Sequence, residues 1–199
     1  MTLPPDAPAR HHGVPEAIAA VARELARETF PKGDLAALRR MDPDRPGTTA
    51  AFWSLVTRHV PESLRRDEDA IRRWALVLHG MALMAPDHHR GLRLQGGRTE
   101  RLGAALRGSD PERPIYAEAR LARLLGARGT MFRALVPRLC RQMKAADRPL
   151  AWEELAELVL TEGRDEERAE RCRERIATAY YRAATADATD HQAEMKDVA

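Results

Sequence analysis

The sequence predicts an all-α fold, arranged as two small helical bundles packed together. Three observations carry that reading. No stretch alternates apolar and polar residues with period two, and β-branched residues never cluster, so no strand is expected. Apolar residues recur instead at three- and four-residue spacing in segment after segment. Clusters of proline and glycine punctuate those segments and set their ends.

The elements follow in order. Residues 1–13 read as a disordered N-terminus, with Pro4, Pro5 and Pro8 and no apolar period. Val14, Ile18, Val21, Ala22 and Leu25 mark a first helix, stopped by Pro31 and Gly33. Asp34 is the expected N-cap of a short helix holding Leu35, Leu38 and Met41. The run from Asp42 to Gly47 is a loop by composition, after which Thr48 or Thr49 is expected to cap a helix carrying Phe52, Leu55, Val56 and His59. Asp67 to Met84 is the next helix, with Ile71, Trp74, Leu78 and Met81 at core spacing. Pro86 to Thr99 reads as a long mobile loop that separates an N-terminal bundle (14–97) from a C-terminal one (98–186).

The second bundle begins with a short helix, Glu100 to Leu106, and continues with Ile115 to Ala127. Gly129 and Thr130 are expected to break the chain before the stripe Phe132, Leu135, Val136, Leu139, Met143. Pro137 lies inside that stripe, which predicts a kink or a helix that begins there. Leu150 to Leu160 and Asp165 to Ala186 complete the bundle, and residues 187–199 read as a disordered tail.

The bulk composition excludes several classes. The most apolar run, Trp74 to Ala85, is interrupted by His79 and is too short to span a bilayer. No basic start followed by an apolar run is present, so no secretory signal is read. Cys140 and Cys172 occupy apolar helix positions and read as reduced core thiols of a cytoplasmic protein. His79, His88 and His89 lack the spacing of a metal site, and Ser54, Ser63 and Ser109 lack a nucleophile elbow. Gly96 and Gly97 neither follow a strand nor precede a phosphate-loop lysine. Asp165, Glu166, Glu167 and Glu170 place negative charge in the first turns of the last helix, where the macrodipole favours it. No catalytic residue, metal ligand or cofactor is predicted.

The charge distribution is the one lead to function. Residues 81–148 hold fourteen Arg and Lys against six Asp and Glu, and residues 149–170 reverse this with eight acids against two bases. A merely solvated helix intersperses both signs, whereas a face that meets a phosphate backbone does not. The preference for Arg over Lys is also what a GC-rich genome produces, so it carries no weight of its own. The candidate nucleic-acid-binding residues are Arg39 and Arg40 at the end of the second helix, Arg101 and Arg107 on the short helix, Arg120 and Arg123 one turn apart, and Arg133, Arg138, Arg141 and Lys144 on the stripe with Pro137. The rival reading is a helical adaptor whose basic face binds an acidic protein partner, and the two stay open at this point. A helix-turn-helix repressor does not align with the breaks at Gly126, Gly129 and Pro137.

A family resemblance bears on that choice. Gly33-Asp34-Leu35-Ala36-Ala37-Leu38-Arg39-Arg40, then Phe52-Trp53-x-Leu55, then Leu102-Gly103-x-Ala105-Leu106 resembles the CasB family, the small subunit of the type I-E CRISPR surveillance complex Cascade. Glu118-x-Arg120-Leu121-x-Arg123-Leu124-Leu125-x-Ala127, Arg138-Leu139, Trp152 with Leu155, and Ala179-Tyr180-Tyr181 follow in the same order. Ala104 stands where the family often has Arg, and Ala151 where an Asp commonly precedes the Trp. The resemblance implies a non-catalytic, all-helical subunit of two bundles, acting in antiviral defence. It implies as partners the backbone and large subunits of Cascade, a second copy of the chain, single-stranded DNA and possible guide RNA, with no membrane. Its basic surface is then expected to stabilise the displaced non-target strand of the R-loop, leaving sequence reading to the guide.

Overall fold

The computed structural model describes residues 13–86, 101–110 and 113–197, with side chains described as far as Thr185. Among the described residues there are nine α-helices and no strand. They are α1 (Val14–Leu25), α2 (Lys32–Arg40), α3 (Ala50–His59), α4 (Glu68–Met84), α5 (Leu102–Arg107), α6 (Glu118–Gly126), α7 (Gly129–Ala145), α8 (Trp152–Thr161) and α9 (Glu166–Asp197). Short 3-10 turns occupy Pro46–Thr48 and Glu62–Leu64. Of the N-terminus read as disordered, residues 1–12 lie outside the described residues, as do His88, His89, Gly91, Gly96 and Gly97 of the loop, while Gly13 takes the N-cap position of α1.

The central element is α4. A surface helix is apolar on one stripe, whereas one that is apolar all round is buried on every side. From Arg73 to Ala85 only Leu83 escapes full burial, and α4 packs against α2, α7 and α8. Its start is fixed by Asp67, whose side chain accepts a hydrogen bond from the Ala70 amide at 2.7 Å. α1 packs on α8 as well as on α3 and α4, and α9 lies along α5 and α8. The buried side chains from Ala17 to Tyr180 accordingly form one cluster. The boundary expected at 97/98 falls among residues not described, and the halves on either side of it share that core.

Two glycines set the closest helix contacts. A Cβ on Gly80 would sit 2.8 Å from the Trp152 ring and 3.0 Å from Cys140 Sγ, so the Trp152 indole of α8 and the Cys140 thiol of α7 pack directly on the α4 backbone there. A Cβ on Gly103 would lie 2.0 Å from the Ile176 carbonyl oxygen, so the six-residue α5 rests directly on the α9 backbone. Gly80 lies beside Cys140 and Ala85 beside Lys144, so α4 and α7 run in the same direction.

Several expected boundaries move, each for a physical reason. Asp34 does not cap α2: the helix begins at Lys32 after Pro31, and Asp34 lies in its first turn. Thr49 takes the N-cap position of α3 without a capping hydrogen bond from its side chain. Gly129 does not break the chain but opens α7, at φ +53°, and its amide is capped by Glu162 Oε1 at 2.8 Å. Pro137 is carried inside a continuous α7. α9 runs on to Asp197, because the segment after Ala186 holds neither Pro nor Gly to end it.

Candidate nucleic-acid interface

The ten cations singled out in the sequence separate into two groups. The first group is used inside the fold. The last carbonyls of a helix have no partner within it, and burying them uncapped is costly. Met84 and Ala85 are fully buried, and α4 solves this with cations from its neighbours. Arg39 donates through Nε to the Ala82 carbonyl (2.8 Å) and through Nη2 to that of Ala85 (3.0 Å). Lys144 Nζ reaches the same Ala85 oxygen at 3.4 Å. Arg107 is buried and donates to the Asp110 carbonyl at 2.7 Å. These three do not present free cations to solvent. Arg133 is half-buried and grips Asp44 Oδ1 through Nε at 2.9 Å. Arg101 is exposed but pairs with Glu154 at 2.7 Å, which holds its guanidinium pKa above the usual value.

The second group faces outward. Arg120 and Arg123 on α6, Arg138 and Arg141 on α7, and Arg40 at the end of α2 are all exposed. None makes an ion pair with a described residue. On α7 the exposed positions Met131, Ala134, Arg138, Arg141 and Ala145 follow three- and four-residue spacing, so they form one stripe along the helix. Gln142 ties this stripe to α6. Its Oε1 accepts from Arg120 Nη1 at 2.8 Å while its Nε2 donates to the Ile115 carbonyl, so Arg120 lies over the α6–α7 seam. Burial raises the pKa of Tyr116, at the root of α6, and the nearby Arg120 and Arg123 oppose that rise. On the opposite flank of α7, burial lowers the pKa of His79 and Arg141 lowers it further, while Asp42 acts the other way. Both Arg141 and the loop after α2 therefore lie close to His79. The exposed arginines thus form a band from α6 across α7 toward the α2–α3 loop.

The acid-rich segment does not neutralise this band. Glu162 caps α7, and Glu157 pairs with Arg168 and Arg175. Glu166 and Glu170 hold Arg128 and the buried Arg173, and the Arg173 hydrogen bond pulls the Glu166 carboxyl below its usual pKa. Glu154 takes Arg101 and also caps the Leu102 amide at 2.7 Å. Of the exposed residues proposed for a basic face, Arg101 pairs with this segment, through Glu154, whereas Arg120, Arg123, Arg138 and Arg141 make no ion pair with it among the described residues.

Sequence reasoning missed Gln142, which orients Arg120, and Arg45, an exposed cation in the loop before the Pro46–Thr48 turn. A polar residue between Arg141 and Met143 was the available signal for the first. The second lies outside the charge-rich stretch, and only the return of the loop to α7 through the Arg133–Asp44 pair brings it near. Among the described residues no group of three or more His, Cys, Asp or Glu is placed to hold a metal ion. None of the described helices is long and apolar enough to cross a membrane.

No curated protein and no solved structure shows significant similarity to the chain. A family model does match, that of the CRISPR-associated protein Cse2, over residues 34–181. The span covers most of the chain and contains every helix from α3 to α8, with all the arginines of the band. The chain therefore belongs to the Cse2 (CasB) family, the small subunit of the type I-E Cascade complex in CRISPR defence.

Proposed function

We propose that the chain acts within Cascade as a non-catalytic clamp, whose α6–α7 band tracks the phosphate backbone of the displaced non-target DNA strand. The observation that carries this reading is the set Arg120, Arg123, Arg138 and Arg141: exposed on two adjacent helices, without acid partners among the described residues, with Arg120 held to α7 by Gln142. Phosphate neutralisation by such cations releases counterions and supplies affinity without reading bases. That is what a complex needs when its guide does the sequence reading. Arg40 extends the band, and Arg101 contributes where a phosphate displaces Glu154. The backbone and large subunits and a second copy of the chain supply the neighbours, in the cytoplasm, and guide RNA is the competing ligand for the same face.

The test is Arg120→Glu with Arg123→Glu in assembled Cascade. Target DNA should be held more weakly, similarly for different target sequences, while helicity stays unchanged. On single strands each lost phosphate contact should reduce the salt slope by about 0.7. An effect confined to one DNA sequence, or loss of assembly with DNA affinity intact, would overturn the reading.

A further inference from the structure

A second feature lies at the end of the band. A cavity of about 370 Å³ opens between the α2–α3 loop, α3 and the first turns of α4. Trp53, Ile71 and Pro46 supply its apolar wall, and Arg45 and Arg72 stand with Asp44 and Glu68 around them. Trp53 is the half-buried tryptophan of the chain; Trp74 and Trp152 are fully buried. Its indole is held in place before any ligand arrives. Nε1 donates to the Gly47 carbonyl at 3.3 Å, and the ring meets Phe52 edge to face at 5.2 Å. The cavity adjoins the band through Asp44, which Arg133 of α7 grips.

We propose that this cavity takes one unstacked nucleobase of the same single strand, stacked on Trp53. The inference rests on the backbone-tracking reading and adds a base contact to it. Every base has a π-face, so an indole platform binds without selecting sequence. The charges favour a base over a phosphate. Asp44 and Glu68 repel a phosphate, but their charges are offset by Arg133 and Arg72, and their oxygens accept hydrogen bonds from ring N–H and amino groups of a base edge. Arg45 is exposed, makes no ion pair with a described residue, and stands where the flanking phosphate would run.

The experiment uses the full-length chain at low salt and two single-stranded DNAs of equal length, one with all its bases and one abasic throughout. The base-bearing strand should quench tryptophan emission and shield it from acrylamide, whereas the abasic strand should bind with the same salt slope and leave emission unchanged. Trp53→Ala should weaken the base-bearing strand by roughly 5- to 100-fold and leave the abasic strand alone. Trp53→Phe keeps a ring against Phe52 and should retain part of that affinity without the quenching. Arg45→Glu, on an exposed loop, should weaken both strands. Binding of the base-bearing strand with unmoved emission and an unaffected Trp53→Ala variant overturns the stacking site and leaves backbone tracking intact. Binding of neither strand overturns both. Loss of Cascade assembly in Trp53→Ala, with DNA binding unchanged, would mean that a protein segment fills the cavity and overturns the proposal.

Discussion

Arg39 and Lys144 look alike in the sequence to Arg138 and Arg141, and their roles are opposite. The first two converge on the Ala85 oxygen, where a buried helix end would otherwise leave carbonyls without donors. Replacing Arg39 with Met should therefore lower stability by roughly 1–3 kcal/mol, seen in denaturant unfolding, and leave the salt dependence of DNA binding unchanged. Linear reasoning placed Arg39 at the C-terminus of its own helix, where positive charge is favourable, and could not show that it serves the C-terminus of α4. His79 illustrates the same limit. It reads as a polar interruption of an apolar run, yet it is buried with Nδ1 3.0 Å from the Leu38 carbonyl. Burial lowers its pKa below the ordinary value of 6.5, so the unfolded chain takes up a proton more readily than the folded one. Stability should hold above pH 6.5 and fall as pH drops below it. Thermal melts from pH 7.5 to 5 should show that slope flattened, though not abolished, in His79→Gln, because burial lowers His59 as well.

At the scale of elements, apolar periodicity located all nine helices but set their ends poorly. The reason is that, besides the end of α4, three further helix ends are closed from outside. Glu154 of α8 caps the Leu102 amide of α5, Glu162 caps Gly129 of α7, and Arg73 of α4 donates to the Val159 and Glu162 carbonyls at the end of α8. A cap supplied by a distant residue leaves no local motif. Gly103 is the clearest element-scale case. It looked like part of a family signature, and its physical reason is the missing Cβ that lets α5 lie on α9. Gly103→Ala should cost at least about 1–3 kcal/mol, because the obstruction is the Ile176 backbone and not a movable side chain. Chemical denaturation would check this, and an unchanged midpoint would mean that α5 does not bear on α9 as described.

For the whole molecule, the charge split between residues 81–148 and 149–170 marks in the sequence the stretch that carries the exposed arginines of α6 and α7. It could not divide the region's cations into those that close helices and those that face solvent, because that division depends on which helices lie side by side. Four arginines stand at exposed positions of α6 and α7, so changing Arg120, Arg123, Arg138 and Arg141 together to Gln should leave thermal stability close to that of the parent. The same variant should lose about 2.8 from the single-strand salt slope if all four meet phosphates. A large drop in melting temperature, or an unchanged slope, would refute this partition.

The two thiols carry a practical consequence. Cys140 and Cys172 are buried, and burial pushes both pKa values up to about 12, so neither supplies thiolate to an alkylating reagent near neutral pH. The parent chain is thus already a silent background for maleimide chemistry. A single cysteine at Ala134, on the exposed stripe of α7 beside Arg138, should take a fluorophore alone. Mass spectrometry should find one adduct on Ala134→Cys and none on the parent, giving a reporter of strand capture and release in real time.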